Sequence, residues 1–154
     1  MNRFDTDLKR IKIKDLLFVI LYGGVLSVLF GILLGFIDYF IGDFIGLSFA
    51  GILFLVSSMQ IGRMVRKQYE FPHIVYIVLT ALFLIIQAII IFFLPYIFTV
   101  VKANNAPELV FDFRLYWFVL ESFARNLFRS FNFNLWLTVF VFAIGTYIGV
   151  KQTY

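Results

Sequence analysis

The chain has 154 residues, of which 62% are hydrophobic and 14% are charged, and its mean hydropathy is +0.97. An average soluble domain is about 45–50% apolar and roughly 25% charged. A fold of this length has too little interior to hide the surplus of apolar surface. The sequence therefore excludes an ordinary soluble domain and predicts an all-α integral membrane protein, folded as a single membrane domain over residues 1–154.

The first half of the chain contains two apolar runs after a basic N-terminus. The run over 16–37 holds no charged residue, and as a helix of about 33 Å it is long enough to cross a hydrocarbon core of about 30 Å. Asp38 and Asp43 then enclose a short segment with Gly42, which predicts a tight turn. The second span is predicted over 44–62.

The second half of the chain contains two further apolar runs, over 73–101 and 133–150. The third span is roughly 42 Å long as a helix, and tilt or a kink at Pro95 would absorb its excess length. The fourth run is shorter, so we expect the residues just before it to help it cross. The sequence thus predicts four transmembrane helices.

The segment 113–131, between the third and fourth spans, combines many aromatic residues with charges. Its charged residues share one helical face: Arg114, Glu121, Arg125 and Arg129. Burying each at the bilayer centre would cost about 2.5–3.5 kcal/mol, whereas an interfacial position keeps them hydrated. We therefore predict an amphipathic interfacial helix. The alternative is a fifth span or a re-entrant segment with its charges turned into the bundle.

The distribution of Lys and Arg predicts the orientation of the four spans. One side carries Arg3, Lys9, Arg10, Lys12, Lys14, Arg63, Arg66, Lys67 and Lys151. The opposite side carries Lys102, Arg114, Arg125 and Arg129. Because cytoplasmic segments carry the excess of positive charge, we expect a multi-pass protein of a bacterial inner membrane with both termini in the cytoplasm. A fifth span would move the C-terminus outside.

Small residues form stripes along the predicted spans, with G-x-x-x-G patterns in the first and the fourth. The stripes consist of Gly24, Ser27, Gly31 and Gly35 in the first span, Gly46 and Ala50 toward the second, and Gly145 and Gly149 in the fourth. Small side chains let helix backbones approach closely in a membrane. These positions therefore predict either helix packing within one subunit or the interface of a homo-oligomer.

Three polar residues are candidates for a pore: Asp38 and Asp43 at an outer mouth, and Gln87 midway along the third span. Ionisable side chains at membrane depth often mark ion pathways. The alternatives are a solvated turn for the two aspartates and an interhelical hydrogen bond for Gln87. Metal-ligand clusters, phosphate-binding loops and catalytic triads are not visible in the sequence, so we assign no catalytic residue, metal or cofactor.

The basic residues on the predicted cytoplasmic side form a candidate contact surface. Its members are Lys9, Arg10, Lys12, Lys14, Arg63, Arg66 and Lys67. Such a cluster is attracted to the anionic inner leaflet, and the second interpretation is a docking site for a cytosolic protein. The net charge of +4 forms no long basic face, so direct contact with nucleic acid is not expected.

The hydrophilic segments are too short to fold into a catalytic domain of their own. We therefore expect a non-enzymatic membrane subunit that oligomerises and anchors or signals to a cytosolic partner, with the amphipathic helix sensing membrane disturbance. This architecture resembles, at the level of fold only, the small four-span membrane proteins of bacterial phage-defence systems such as Kiwa. The resemblance implies a role in antiviral defence. The alternative function is a small oligomeric channel or transport component.

Overall fold

The computed structural model describes residues 12–129 and 133–154, and it describes side chains except those of 127–134. Within these ranges the chain is all-α, which confirms that part of the predicted fold class. Its five α-helices are α1 (Ile13–Ile45), α2 (Ala50–Arg66), α3 (Ile74–Asn104), α4 (Phe113–Arg129) and α5 (Phe133–Lys151). A short 3-10 helix, Pro107–Phe111, joins α3 to α4.

The end of α1 corrects the predicted turn between Asp38 and Asp43, because the helix continues through both residues to Ile45. It ends at Gly46, whose φ of +75° forms a left-handed C-cap. The helix is not broken because both carboxylates have partners in the fold: Asp38 bonds to the start of α2 and Asp43 pairs with Lys102.

The second helix consequently starts later than the predicted span over 44–62. It begins at Ala50, after a turn over 46–49. Gly46 and Ala50 therefore do not form one stripe on a common helix, since Gly46 caps α1 and Ala50 begins α2. The space around Gly46 is open, with no neighbouring atom within 4 Å of where a Cβ would stand.

Helices α1 and α3 form a parallel pair along most of their length. A Cβ added to Gly31 would lie 3.0 Å from Cβ of Ile90, and one added to Gly35 would lie 2.9 Å from Cδ2 of Leu94. The ring of Phe83 lies against both Gly23 and Gly24, in the part of α1 that forms a π-helical segment, Ile20–Val25. Bulky side chains of α3 thus fill the grooves that glycines leave on α1.

Helices α2 and α5 form the second parallel pair, and their backbones are in contact. A Cβ on Gly145 would lie 2.7 Å from Cδ1 of Phe54, and one on Gly62 would overlap the carbonyl oxygen of Gly149. The Ser58 hydroxyl donates a hydrogen bond of 2.9 Å to the carbonyl of Gly145. The small residues of α5 therefore pack against α2 of the same chain.

The two pairs run in opposite directions and enclose one core, which includes Phe54, Leu84 and Ile91. We call the end that holds the start of α1 and the end of α5 the lower end of the bundle. The opposite end, with the turn over 46–49 and the end of α3, is the upper end. Helix α4 lies outside the bundle, against the upper half of α3.

The exterior of the bundle is apolar. Helices α1 and α3 have 33 and 31 residues and are long and apolar enough to cross a membrane, yet only 22% and 33% of their most apolar stretches are buried. A core helix of a soluble protein would be mostly buried, whereas Leu29, Leu33 and Ile52 lie exposed on this surface. Such a surface is stable in a hydrocarbon surrounding, which indicates a membrane location.

The contact between α2 and α5 leads to a stability prediction. We expect Gly149→Ala to lower the free energy of unfolding by about 1–3 kcal/mol, the usual cost of overpacking. The new Cβ would lie 2.6 Å from Cδ1 of Leu84 and 2.8 Å from the carbonyl oxygen of Ser58. Denaturant unfolding in detergent micelles, followed by circular dichroism, measures the change.

The matched control is Gly42→Ala, because no atom lies within 4 Å of the Cβ position at Gly42. Alanine there is expected to leave stability unchanged or to raise it by up to about 1 kcal/mol, through its higher helix propensity. Equal losses in the two variants would contradict a close approach of α2 and α5.

Candidate functional site

The predicted basic contact surface lies at the lower end of the bundle. Lys9 and Arg10 fall outside the described residues. The described cations of this end are Lys12, Lys14, Arg63, Arg66, Lys67 and Lys151. They come together because α1 begins, α2 ends and α5 ends at the same end of the bundle.

Lys12 and Arg66 contact the loop between α2 and α3. The Lys12 ammonium forms a salt bridge of 2.9 Å with Glu70, and this hydrogen bond and charge raise the pKa of Lys12. Arg66 donates from Nη1 to the carbonyl of Tyr69 at 2.9 Å and lies 5.2 Å from the centre of its ring. Both residues hold the loop between α2 and α3 in place.

Lys14 and Lys67 are available for contact with other molecules. Both are exposed, and neither has an acidic group within 4 Å in the part of the chain that the structure describes. Arg63 is also exposed, with a long hydrogen bond of 3.4 Å from Nε to Gln152. The lower end therefore presents exposed positive charge on an ordered framework.

That framework is closed by a buried aromatic cluster between α2, α3 and the C-terminus. The Tyr69 hydroxyl donates to the carbonyl of Thr153, and its ring stacks on Tyr76 at 4.8 Å. Burial raises the pKa of Tyr69, an effect that the bond to Thr153 partly offsets. His73 caps α3, because its Nδ1 accepts a hydrogen bond of 3.2 Å from the amide of Val75. None of these residues is among the site residues that the sequence predicts.

Gln87 lies in the centre of the bundle and is fully buried. Its Nε2 donates a hydrogen bond of 2.8 Å to the hydroxyl of Ser57, which in turn donates to the carbonyl of Phe54 at 3.0 Å. This geometry joins α3 to α2 and corresponds to the interhelical alternative that the sequence left open. In the single chain Gln87 therefore does not face a water-filled space.

Asp38 and Asp43 have different environments although both stand near the upper end of α1. Asp38 is only 4% exposed and accepts hydrogen bonds from the amide of Phe49 at 2.6 Å and from the Ser48 hydroxyl at 2.9 Å. Its negative charge thus lies at the N-terminus of α2, where the helix dipole stabilises it. Asp43 is exposed and pairs with Lys102 at 2.9 Å.

A crevice of about 400 Å³ adjoins Asp38 and is bordered by Pro95, Thr99 and Thr138. It lies where the late start of α2 leaves space beside α3 and α5. The sequence had placed Asp38 in a solvated turn, and that expectation was wrong because the residue is buried in a helix. Ser48, a typical helix N-cap residue just before α2, is the signal that would have located the true turn.

The described charged residues of helix α4 are exposed rather than packed into the bundle. Asp112 caps it by accepting a hydrogen bond of 2.9 Å from the amide of Arg114, and Arg125 pairs with Glu121 at 2.5 Å. Arg114, Glu121 and Arg125 are exposed, so the alternative that turns the charges into the bundle is wrong for these three. The side chain of Arg129 falls outside the described residues.

The apolar side of α4 packs on α3. The ring of Phe123 lies 5.0 Å from that of Phe92 and 5.4 Å from that of Phe93. Two apolar grooves lie beside this contact, with volumes of about 530 Å³ toward α5 and about 330 Å³ beneath the first half of α4. The helix is therefore only partly seated on the bundle.

Comparison with known proteins does not assign a family to the chain. No family model, no curated protein and no solved structure matches it. Among the described residues, no group of three or more His, Cys, Asp or Glu side chains is placed to hold a metal ion. What the structure offers chemically is a basic lower end, a buried capping carboxylate and one amphipathic surface helix.

The role of Asp38 in starting α2 leads to a second stability prediction. We expect Asp38→Ala to lower the free energy of unfolding by about 1–3 kcal/mol, because the amide of Phe49 and the Ser48 hydroxyl lose their acceptor. Asp43→Ala is the matched control, since it removes only an exposed ion pair worth about 0–1 kcal/mol. Denaturant titration in micelles compares the two variants, and a smaller loss at Asp38 than at Asp43 would contradict the capping role.

Proposed function

We propose that this chain is a non-enzymatic four-span subunit of the cell membrane that assembles as a homo-oligomer and presents its lower end to a cytosolic partner protein. The observation that carries the proposal is the separation of surfaces. The bundle exposes apolar side chains along its sides, and at one end it exposes Lys14 and Lys67, which have no acidic group within 4 Å among the described residues.

The four proposed spans are α1, α2, α3 and α5. Helices α2 and α5 have 17 and 19 residues, about 26 and 28 Å, and they pack antiparallel to α1 and α3 within the same layer. The apolar turn over 46–49 adds to the reach of α2. In this arrangement α4 is the interfacial helix at the upper end, where its charged face stays hydrated.

The orientation follows from the positive-inside rule, which places the lower end in the cytoplasm. There Lys14 and Lys67 would meet either the anionic leaflet or an acidic surface on a cytosolic protein. Because the cluster of Tyr69, Tyr76 and His73 orders this end, it offers a fixed platform, which favours docking of a protein partner.

Most of the predicted small-residue stripes are already in contact with helices of the same chain, so the proposed oligomer would form through other surfaces. Gly24, Gly31 and Gly35 face α3 of the same chain, and Gly145 and Gly149 face α2 and α3. The exposed apolar side of α1, which includes Leu29 and Leu33, remains for contact with a second copy. A role in antiviral defence, with α4 sensing membrane disturbance, remains part of the proposal by analogy of architecture.

The alternative, a channel or transport component, has less support in the geometry. A pore through one chain would need a polar path, whereas Gln87 is enclosed between helices and Asp43 is paired with Lys102. Asp38 borders a crevice but serves the N-terminus of α2. A pore would therefore have to form between copies.

The proposed topology is tested with single cysteines, because the chain contains none of its own. We expect an impermeant maleimide added to intact spheroplasts to label Glu108→Cys and not Gln68→Cys or Tyr154→Cys. Permeabilised cells, in which all three should react, provide the control. Labelling of Tyr154→Cys from outside, with Gln68→Cys protected, would mean five spans and would contradict the proposal.

The proposed partner contact is tested by cross-linking in cells followed by purification in detergent. Neutralising two lower-end cations, Lys14→Gln with Lys67→Gln, is expected to reduce recovery of the cross-linked protein several-fold, since each exposed pair contributes up to about 1 kcal/mol. Lys102→Gln, at the upper end, is the control and should leave recovery unchanged. Native mass spectrometry of the wild type that shows only a monomer without partner would refute the proposal.

A further inference from the structure

A narrow apolar groove of about 330 Å³ runs between α3 and the first half of α4. Its walls include Ile89, Phe93 and Ile97 from α3 and Phe113, Trp117 and Leu120 from α4. The one hydroxyl on the wall, that of Tyr116, is already used, because it donates a hydrogen bond of 2.8 Å to the carbonyl of Val110. The groove therefore offers mainly hydrocarbon contacts, and the indole N–H of Trp117 is a further polar group on its wall.

The position of the groove along α3 suits a chain that descends from a membrane surface. Its upper wall, Ile97, precedes Lys102 by five residues, about 7.5 Å along the helix. Its lower wall, Ile89, lies about 20 Å from Lys102 along the same axis. The groove thus leads from the charged upper end into the apolar middle of the bundle.

Arg114 stands beside this groove as an exposed cation. It follows Phe113 directly and lies one helical turn from Trp117, both of which are groove walls. Within the described residues its guanidinium has no ionic partner, since Glu121 pairs with Arg125. The nearby Asp112 carboxylate accepts the backbone amide of Arg114 as the helix cap.

We propose that this groove and Arg114 together bind one membrane phospholipid, with an acyl chain in the groove and the phosphate on the guanidinium. The inference rests on the proposed membrane location and deepens it by naming the lipid that α4 would sense. An arginine fork binds a phosphate with two parallel hydrogen bonds. An apolar groove that opens beside that cation fits an amphiphile with one anionic group better than it fits a peptide.

Native mass spectrometry of the detergent-solubilised protein tests the proposal with three probes. Dioleoylphosphatidylglycerol carries both phosphate and chains, dioleoylglycerol lacks the phosphate, and glycerol 3-phosphate lacks the chains. We expect an adduct of the first that survives at collision energies which strip the other two. Equal retention of dioleoylglycerol, retention of glycerol 3-phosphate alone, or no adduct of any probe would overturn the proposal.

Two matched variants locate the phosphate. Arg114→Gln is expected to weaken phosphatidylglycerol binding about tenfold, the loss of one charge-assisted contact of about 1.4 kcal/mol. Arg125→Gln removes a cation from the same helix face, but one that Glu121 already neutralises, and should change binding by less than about twofold. Equal losses would indicate general attraction to a basic surface and would contradict the site.

A third variant tests the groove. Leu120→Trp enlarges a wall residue and is expected to weaken binding while Arg114 is retained. Circular dichroism and thermal unfolding check that every variant keeps its helices, and unchanged binding in a folded Leu120→Trp protein would overturn the proposal. Cysteine labelling distinguishes a failure of the proposed topology from a failure of the lipid site. A chain that crosses the membrane as proposed but retains no phospholipid refutes the lipid site alone.

Discussion

Contact between helix backbones at glycine is the constraint on which the rest of this structure depends. In both parallel pairs a helix with glycines faces a helix that fills the space, Ile90 and Leu94 against α1 and Phe54 against α5. Lipid tails are as apolar as side chains, so helices in a bilayer gain little from burying apolar surface against each other. Close packing and interhelical hydrogen bonds must supply the attraction, and both require short distances. The bond from Ser58 to the carbonyl of Gly145 exists because α2 and α5 approach so closely.

This packing also brings partners to several buried polar groups between the helices. Gln87, Ser57 and Ser58 lie where helices touch, so each finds a hydrogen-bond partner on its own or a neighbouring helix. Asp38 needs stronger compensation than these neutral groups, because burying a carboxylate costs much free energy unless its charge is stabilised. The amide of Phe49 and the N-terminus of α2 provide that stabilisation. The turn, the start of α2 and the buried carboxylate of Asp38 therefore form one structural unit. The crevice beside Asp38 is lined in part by this unit.

The extent to which this fold follows from the sequence depends on the range of the interactions involved. Helices α1, α3 and α4 follow in large part from the runs predicted over 16–37, 73–101 and 113–131, because apolar runs and the spacing of charges on one face are local patterns. The turn between α1 and α2 could not be found in that way. Asp38 reads locally as a polar break in an apolar run, and only contact with Ser48 and Phe49 across the turn makes it helical and buried.

The candidate sites show the same limit. The basic residues at the lower end were recognisable as a group, but their division into engaged and available cations depends on Glu70 and Tyr69, which the fold brings to Lys12 and Arg66. The groove beneath α4 has no sequence signature, because it arises where the two helices do not fill the space between them. A pattern of glycines likewise indicates close contact without saying with which helix.

The parallel pairing of the helices has a consequence for the order in which the chain is assembled. Successive helices usually pair as hairpins, but here α1 finds its main neighbour in α3 and α2 finds its own in α5. During synthesis α2 is complete almost 70 residues before α5 begins, so its glycine-lined contact surface stays unpaired until α5 has been made. The bundle therefore closes only once α5 is made, and a chain without α5 leaves α2 without its main partner.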